Sequence, residues 1–387
     1  MRVLAVHPSG DLYGADRMLV KSLIALASAG HQVRVLVAED GPLLGVMREQ
    51  GLDAEVMDVP ILRKSLLTPK GALSLLVQTG PALARIRGEL TRFKPDVVYV
   101  NTVTLPHWLL GARVLGRVKV ACHVRELEDR SSAITAKALL APLLAAHAVI
   151  ANSRATRDFT AGVWGRLRSR TAVVYNGFDI PDAPPVRTPQ TPPRVVVVGR
   201  LSPRKGQDTL LDAFAEVVHR GRDAELHLIG STFRGYEWFE DQLRERARAL
   251  GIAERVRFRG YCDGVVEEFA AAAVAVVPSR IEPFGSVAVE AQLAGSAVVV
   301  SAVGGLPEIV SSGRTGLVVP PDSVPALTEA LDELLAHPDR AAELGRAGQE
   351  EARRRFTRDR YDRELIGVLA GLVTPRTAAA PLPGAAR

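Results

Sequence analysis

The sequence predicts two α/β domains, each a parallel sheet covered by helices on both faces. Three observations carry this. The chain has 387 residues, more than the roughly 250–300 at which a single core stops growing. Continuous runs of Val, Ile and Leu alternate with helical segments, the pattern of strands buried on both faces. Between two such alternations lies Ile180 to Pro193, with Pro181, Pro184, Pro185, Pro189, Pro192 and Pro193. Such a cluster enters neither a sheet nor a helix interior, so it reads as a linker.

Each element follows from local signals. Arg2–His7 is an apolar strand, and Asp16 to Ala29 a helix stopped by Gly30. Strands follow at Gln32–Ala38 and, after a basic helix and Pro95, at Asp96–Val100. Val118–His123, Ala148–Ala151 and Thr171–Tyr175 complete the first series. The run Ala133 to Ile150 contains Lys137, Pro142 and His147, so it reads as a buried helix and a buried strand rather than a membrane span. The second series begins with Val195–Val198 and a helix over Asp208–Arg220. It continues with Glu225–Ile229, a helix over Glu240–Leu250, Val256–Arg259, Ala273–Val277, a helix over Ser286–Ala294 and Ala297–Ser301. Helical periodicity then covers Pro325–Ala336 and Pro338–Leu372. The expected division is an N-terminal domain over 1–182, a linker over 183–193 and a C-terminal domain over 194–355. A last helix over 356–373 packs back on the first domain, and an Ala/Pro-rich disordered tail covers 374–387.

Composition bounds the function. At 47% hydrophobic and 24% charged residues, the chain is an ordinary globular protein. It begins directly with a strand, without a basic and then apolar leader, so the expected setting is the cytoplasm. Cys122 and Cys262 form no metal-ligand spacing and read as reduced thiols. The net charge of +6 is concentrated in the first half. Residues 61–95 hold Arg63, Lys64, Lys70, Arg85, Arg87, Arg92 and Lys94 against one acid, Glu89. This is either a solvated helix face or an attraction to an anionic acceptor or an anionic membrane surface, the second placing the protein peripherally at the inner face. Nucleic acid is disfavoured, because no aromatic-rich basic motif accompanies the charge.

In open α/β sheets ligands bind beyond the carboxyl ends of the strands, so the chemistry is sought in the loops there. The loop after Ala273–Val277 reads Pro278-Ser279-Arg280-Ile281-Glu282-Pro283-Phe284-Gly285-Ser286 and runs into a helix carrying Glu290. The start of that helix attracts a phosphate or a sugar hydroxyl. Glu290 suits the two hydroxyls of a ribose, and Glu282 suits sugar hydroxyls or the positive charge that builds at an anomeric carbon. Taken alone, two helix-start carboxylates equally stabilise a helix dipole. The loop after the first strand of the second series, Gly199-Arg200-Leu201-Ser202-Pro203-Arg204-Lys205-Gly206, supplies cations. Arg200 and Lys205 can neutralise a diphosphate leaving group, Arg by bidentate contact and Lys as a point charge. No Asp-x-Asp motif occurs anywhere in the chain, so no metal is expected, and no cofactor beyond the donor substrate.

The pairing of these two loops resembles glycosyltransferase family 4, retaining enzymes of the GT-B fold, in which two Rossmann-like domains face each other across a cleft. The likeness extends to Asn176-Gly177-Phe178-Asp179, to Ala151-Asn152-Ser153, and to Gly304-Gly305-Leu306-Pro307-Glu308 followed by Gly313-Arg314-Thr315-Gly316. It runs over nearly the whole chain up to the tail. The resemblance implies transfer from a UDP- or GDP-sugar to a hydroxyl of a sugar or a lipid-linked acceptor, in polysaccharide or glycolipid synthesis. It assigns the ribose to Glu290, the donor sugar to Glu282 and the diphosphate to Arg200 and Lys205. The backbone of Phe284, Gly285 and Ser286 would face the sugar and phosphate, and the Tyr261 loop would lie beside the base.

The N-terminal domain is less typical. Gly14 and Ala15 stand where the family has a Gly-Gly loop, permitting close backbone approach to the diphosphate. Asp16 reads either as a helix cap or as an acceptor contact. The family places a His and then an acid after a central strand, close to the reacting sugar. Either His123 takes that position, or Arg125 and Glu126 align with the His-acid pair. Two other classes weigh less. A silent nucleotide-sugar scaffold would not require the full set of Arg200, Lys205, Glu282 and Glu290, and an oxidoreductase would show a Gly-x-Gly-x-x-Gly after a first strand.

Overall fold

The computed structural model describes residues 1–374 other than 13, 63–68, 117, 128–131, 184, 234 and 263, and the backbone alone over 69–76. The expected tail beyond 374 and Arg63 and Lys64 of the basic segment lie outside the described residues. The chain divides into two compact units, Met1–Gly177 together with the chain from Asp359 onward, and Phe178–Arg358.

In the first unit the order is β1 (Arg2–His7), α1 (Gly14–Ser28), β2 (Gln32–Val37), α2 (Pro42–Glu49), β3 (Asp53–Val56), α3 (Pro69–Phe93), β4 (Val97–Asn101), α4 (Pro106–Leu115), β5 (Lys119–Val124), α5 (Ala133–Leu140), β6 (Ala148–Ala151), α6 (Arg154–Val163) and β7 (Thr171–Val173). The seven strands form one sheet in the order β3-β2-β1-β4-β5-β6-β7, with parallel pairs throughout. Alternate residues of each strand point to opposite faces, and this splits the core in two. Leu4, Val6, Val98, Val100, Val120 and Cys122 pack with Ile86, Leu90, Trp108 and Leu109 of α3 and α4. Val3, Ala5, Val97, Tyr99 and Ala121 pack with Met18, Leu19 and Leu23 of α1 and with Tyr361, Leu365 and Leu369.

The second unit runs β8 (Arg194–Val198), α7 (Gln207–His219), β9 (Glu225–Ile229), α8 (Glu237–Ala249), β10 (Val256–Gly260), α9 (Val265–Ala271), β11 (Val274–Val277), α10 (Ser286–Leu293), β12 (Ala297–Ser301), α11 (Leu306–Ile309), β13 (Leu317–Val319), α12 (Val324–Ala336) and α13 (Pro338–Arg355), with α14 (Arg358–Val373) returning to the first unit. Its six-stranded sheet has the order β10-β9-β8-β11-β12-β13. In both sheets the strand order reverses beside the unit's first strand, between β1 and β4 and between β8 and β11. That reversal is where a Rossmann-like sheet opens a crevice for ligands.

The helical pattern over Pro338–Leu372 divides at Phe356–Thr357, where the last helix was expected to begin: the carbonyl of Phe356 accepts the N–H of Phe178, and the carbonyl of Phe178 accepts the N–H of Arg358. Two expectations are revised. The Pro-rich stretch lies along the second unit, where Arg187 Nη1 donates to the carbonyl of Phe269 and to Ser296, and Thr188 N–H donates to the carbonyl of Ala270. The helix within Ala133–Ile150 is only partly buried, since Ile134 is 82% exposed. Neither cysteine is in a disulfide. Among the described residues no helix is long and apolar enough to cross a membrane.

Candidate functional site

The second unit's crevice is built from the loops that leave the adjacent strands β8 and β11. They approach closely because Gly206 adopts φ +69°, where a side chain would collide with the carbonyl of Pro278 at 2.1 Å. The approach brings together residues 77 positions apart: Lys205 Nζ donates to Glu282 Oε2 at 2.7 Å. Ser279 Oγ donates to the same oxygen at 3.1 Å, and the Glu282 side chain is 12% exposed. From behind, the β12 loop supports this residue. Gly305 N–H donates to the carbonyl of Glu282 at 3.0 Å, and a Cβ on Gly304 would overlap that oxygen at 1.8 Å. The Gly304-Gly305 pair is thus a backbone cradle for Glu282.

Arg200 lies over the ring of Phe233, with Cζ 3.6 Å from the centroid, a cation–π contact the sequence did not disclose. Gly285, in the left-handed region, starts α10 without a side-chain cap. The backbone donors of that start, with the helix dipole, form a generic anion site. Phe284 is buried edge-on against Phe356, which holds the turn, and half-buried Glu290 lies in the second turn of α10. Tyr261 is 59% exposed on the loop after β10. The second unit therefore places Arg200, Lys205 and Glu282 on the two loops of one crevice, with the start of α10 and Glu290 following directly in the chain.

The first unit's reversal point has a cavity of about 320 Å³ lined by His7, Pro8, Ser9, Asp11, Ala15, Asp16, Glu39, Ile61, Thr102, Thr104 and Glu126. Asp16 is buried. It lies inside the first turn of α1 and contacts His7 Nε2 at 2.7 Å. Asn101 Nδ2 donates to His7 Nδ1 at 2.9 Å, and Asn101 Oδ1 accepts from Arg125 Nε at 2.9 Å. Arg125 continues to Asn176 Oδ1 at 3.1 Å and to the Tyr361 hydroxyl at 3.3 Å. A buried polar chain thus runs from the cavity through Asp16, His7 and Asn101 to Arg125.

His123 and Glu126 have different surroundings. His123 is fully buried, with Nδ1 near the Tyr99 hydroxyl at 2.7 Å and Arg125 Nη2 at 3.2 Å. Burial, and then the neighbouring guanidinium, hold its pKa well below the ordinary 6.5. Glu126 lines the cavity, and burial raises its carboxyl pKa despite hydrogen bonds from Arg125 N–H and Thr102. Thr102 at the rim has φ +83°. For a β-branched residue this strain is worth about 1–3 kcal/mol and is often stored at functional positions. Gly14 begins α1 and Ala15 lines the cavity. Asn152 and Ser153 have structural roles: Ser153 caps α6 through Thr156 N–H, and Asn152 Oδ1 accepts from Thr156 Oγ1.

Sequence reasoning missed His7, Asn101, Phe233 and the cluster around Arg280. His7 carried a usable signal, being the last residue of a first strand, where the crevice rule applies. The others depend on partners distant in sequence.

Comparison with known proteins agrees with this architecture. Residues 13–181 match the family described as Glycosyltransferase Family 4, and residues 181–351 match Glycosyl transferases group 1. D-inositol 3-phosphate glycosyltransferase 1 of Catenulispora acidiphila is 30% identical over 384 residues, covering 89% of this chain and 87% of the relative. A GDP-mannose-dependent alpha-(1-6)-phosphatidylinositol monomannoside mannosyltransferase of Mycobacterium tuberculosis is 37% identical over 188 residues, 46% of this chain and 48% of the relative. The crystal structure of Anabaena HepE in complex with UDP-glucose has the same fold, with a TM-score of 0.81, 24% identity and coverage of 96% of this chain and all of that one. With both halves matched and a relative aligned along most of its length, the chain belongs to glycosyltransferase family 4, nucleotide-sugar-dependent glycosyltransferases of the GT-B fold.

Proposed function

We propose that the protein transfers a sugar from a UDP- or GDP-sugar to a hydroxyl acceptor with retention at the anomeric carbon, without a metal, in polysaccharide or glycolipid assembly. The observation that carries this is the Lys205–Glu282 contact at the second unit's crevice, beside Arg200 and the start of α10. In this reading Lys205 and Arg200 turn to the diphosphate, and Glu282 is released to the donor sugar. Glu290 accepts from the ribose hydroxyls, and the backbone of Phe284–Ser286 approaches the sugar and phosphate. The diphosphate departs from the face that the acceptor attacks, and one of its oxygens helps to take the acceptor proton. Arg200 and Lys205 neutralise the departing charge, a contribution of about 10²–10³ in rate for each such group.

We assign the acceptor to the first unit's cavity, with Asp16 and Glu126 as its polar contacts and Arg125 and Asn176 as their support. The relatives named above act on inositol phosphate and on a phosphatidylinositol mannoside, which favours a lipid-linked or polyol acceptor. The basic 61–95 segment supports contact with an anionic membrane, although Arg85 is paired with Asp58, and Arg92 with Glu55 and Glu89.

A thermal-shift screen of UDP- and GDP-sugars identifies the donor. Turnover in excess EDTA tests the metal-free mechanism, and NMR of the product anomer tests retention. An inverted product, or activity lost with EDTA and restored by a divalent ion, contradicts the mechanism. Binding to phosphatidylglycerol vesicles at low but not high salt is expected. Equal binding to neutral vesicles would remove the charge argument.

A further inference from the structure

Arg280 is not assigned to the donor, yet it ties together the loops that are. Its side chain is 16% exposed. Nη1 and Nη2 donate to the two carboxylate oxygens of Asp208 at 2.8 and 2.9 Å, and Nη2 also to Thr209 Oγ1 at 3.0 Å. Nε donates to Asp322 at 2.5 Å, Nη1 to the carbonyl of Pro203, and the backbone N–H to the carbonyl of Arg204 at 2.8 Å. One residue of the β11 loop thereby holds the β8 loop, the first turn of α7 and the loop after β13.

Glu282 follows Arg280 by two positions, and Lys205 precedes Asp208 by three. A second direct tie between these loops, Lys205 to Glu282, joins two groups that the donor itself engages. A donor that draws both onto itself dissolves that tie. The Arg280 contacts involve no donor-binding group and persist. The bidentate Asp208 pair, little exposed and part of a network, is the type of ion pair that holds geometry, unlike an isolated surface pair.

We infer that Arg280 is a positioning residue of the transfer reaction, setting the distance between the diphosphate cations and Glu282 while the donor is bound. The inference rests on the donor-site reading above. Lys at this position carries one compact charge on a flexible stem and cannot serve three loops at once. A misplacement of about 1 Å in reacting groups costs on the order of 10²-fold in rate.

The test uses the full chain as Arg280→Ala and Arg280→Lys, with Lys205→Ala alongside, well below each melting temperature. Turnover is measured with the donor found by thermal shift, and affinity for UDP and GDP by calorimetry. Arg280→Ala is expected to lower kcat by about 30- to 100-fold while nucleoside diphosphate affinity changes less than about threefold, because Arg200 and Lys205 share a loop of their own. Arg280→Lys is expected to recover melting temperature but not kcat. If Arg280→Ala does not fold, Asp208→Asn is expected to show the same split. A kcat within about threefold of the parent, or a loss matched by the unfolded fraction, overturns the inference. If Lys205→Ala also leaves diphosphate affinity intact, the donor reading itself has failed; if only the Arg280 variants behave as the parent, the inference alone falls.

Discussion

The two sheets reverse their strand order at equivalent places, yet the crevices there carry opposite chemistry. Beside β8 and β11 stand Arg200, Lys205 and the start of α10, with Glu282 and Glu290 within the same loop and helix. Beside β1 and β4 stand Asp11, Asp16, Glu39 and Glu126, the hydroxyls of Ser9, Thr102 and Thr104, and His7. The topology therefore supplies a place and leaves its chemistry to the loops. A diphosphate needs positive charge and oriented N–H groups, which the second crevice concentrates. A hydroxyl nucleophile needs acceptors for its proton and neighbouring donors, which suits the first. This division is the core of the proposed function, and variants at either crevice can break it.

The largest effect is expected at Lys205. Lys205→Ala removes a point charge from the developing diphosphate and should lower kcat by about 10²–10³, measured by release of the nucleoside diphosphate. A loss below about fivefold would mean that Lys205 is only the partner of Glu282. Next is Glu290→Gln. Hydrogen bonds to a charged acceptor contribute about 1.5–3 kcal/mol, so donor KM should rise about 10- to 100-fold; unchanged donor kinetics would remove Glu290 from the ribose. Glu126→Gln should act on the other side of the division, lowering kcat/KM for the acceptor by about tenfold with donor affinity unaltered. Equal weakening of donor binding would dissolve the distinction between the crevices.

The smallest effect concerns stability. His123 has a folded-state pKa below the ordinary 6.5, first through burial and then through Arg125. The unfolded chain therefore binds the proton more readily, and stability present above about pH 6.5 is lost as the pH falls below it. The urea midpoint should drop between pH 7.5 and 5.5, and His123→Gln should flatten that drop. An equal slope in the variant would show that other groups set it.

How much was legible follows from how local each signal is. The central strands were read nearly to the residue, because a strand buried on both faces is an uninterrupted apolar run, as in Val195–Val198. Two of the four edge strands were missed: β3, Asp-Ala-Glu-Val, is mostly exposed, and β13 is three residues long. α3 was given no bounds; it runs through Gly80-Pro81, a pair more usual in turns. The loops we assign to the donor were visible because each is a short contiguous motif. The clamp around Arg280 joins residues 42 to 77 positions apart, and the chain from Asp16 to Arg125 joins a helix, two strands and the loop after a third. Only the fold brings such residues together. That is also why Asp16 could be read equally as a cap or a contact, and why His123 and Arg125 could not be ranked.

The most direct test of the central claim is calorimetric titration of UDP and GDP into the full chain and its Lys205→Ala and Glu126→Gln variants. One nucleoside diphosphate is expected to bind the parent, Lys205→Ala to weaken it at least about tenfold, and Glu126→Gln to leave it unchanged. Undiminished binding in Lys205→Ala, or an equal loss in Glu126→Gln, would contradict the placement of the donor at the β8–β11 crevice.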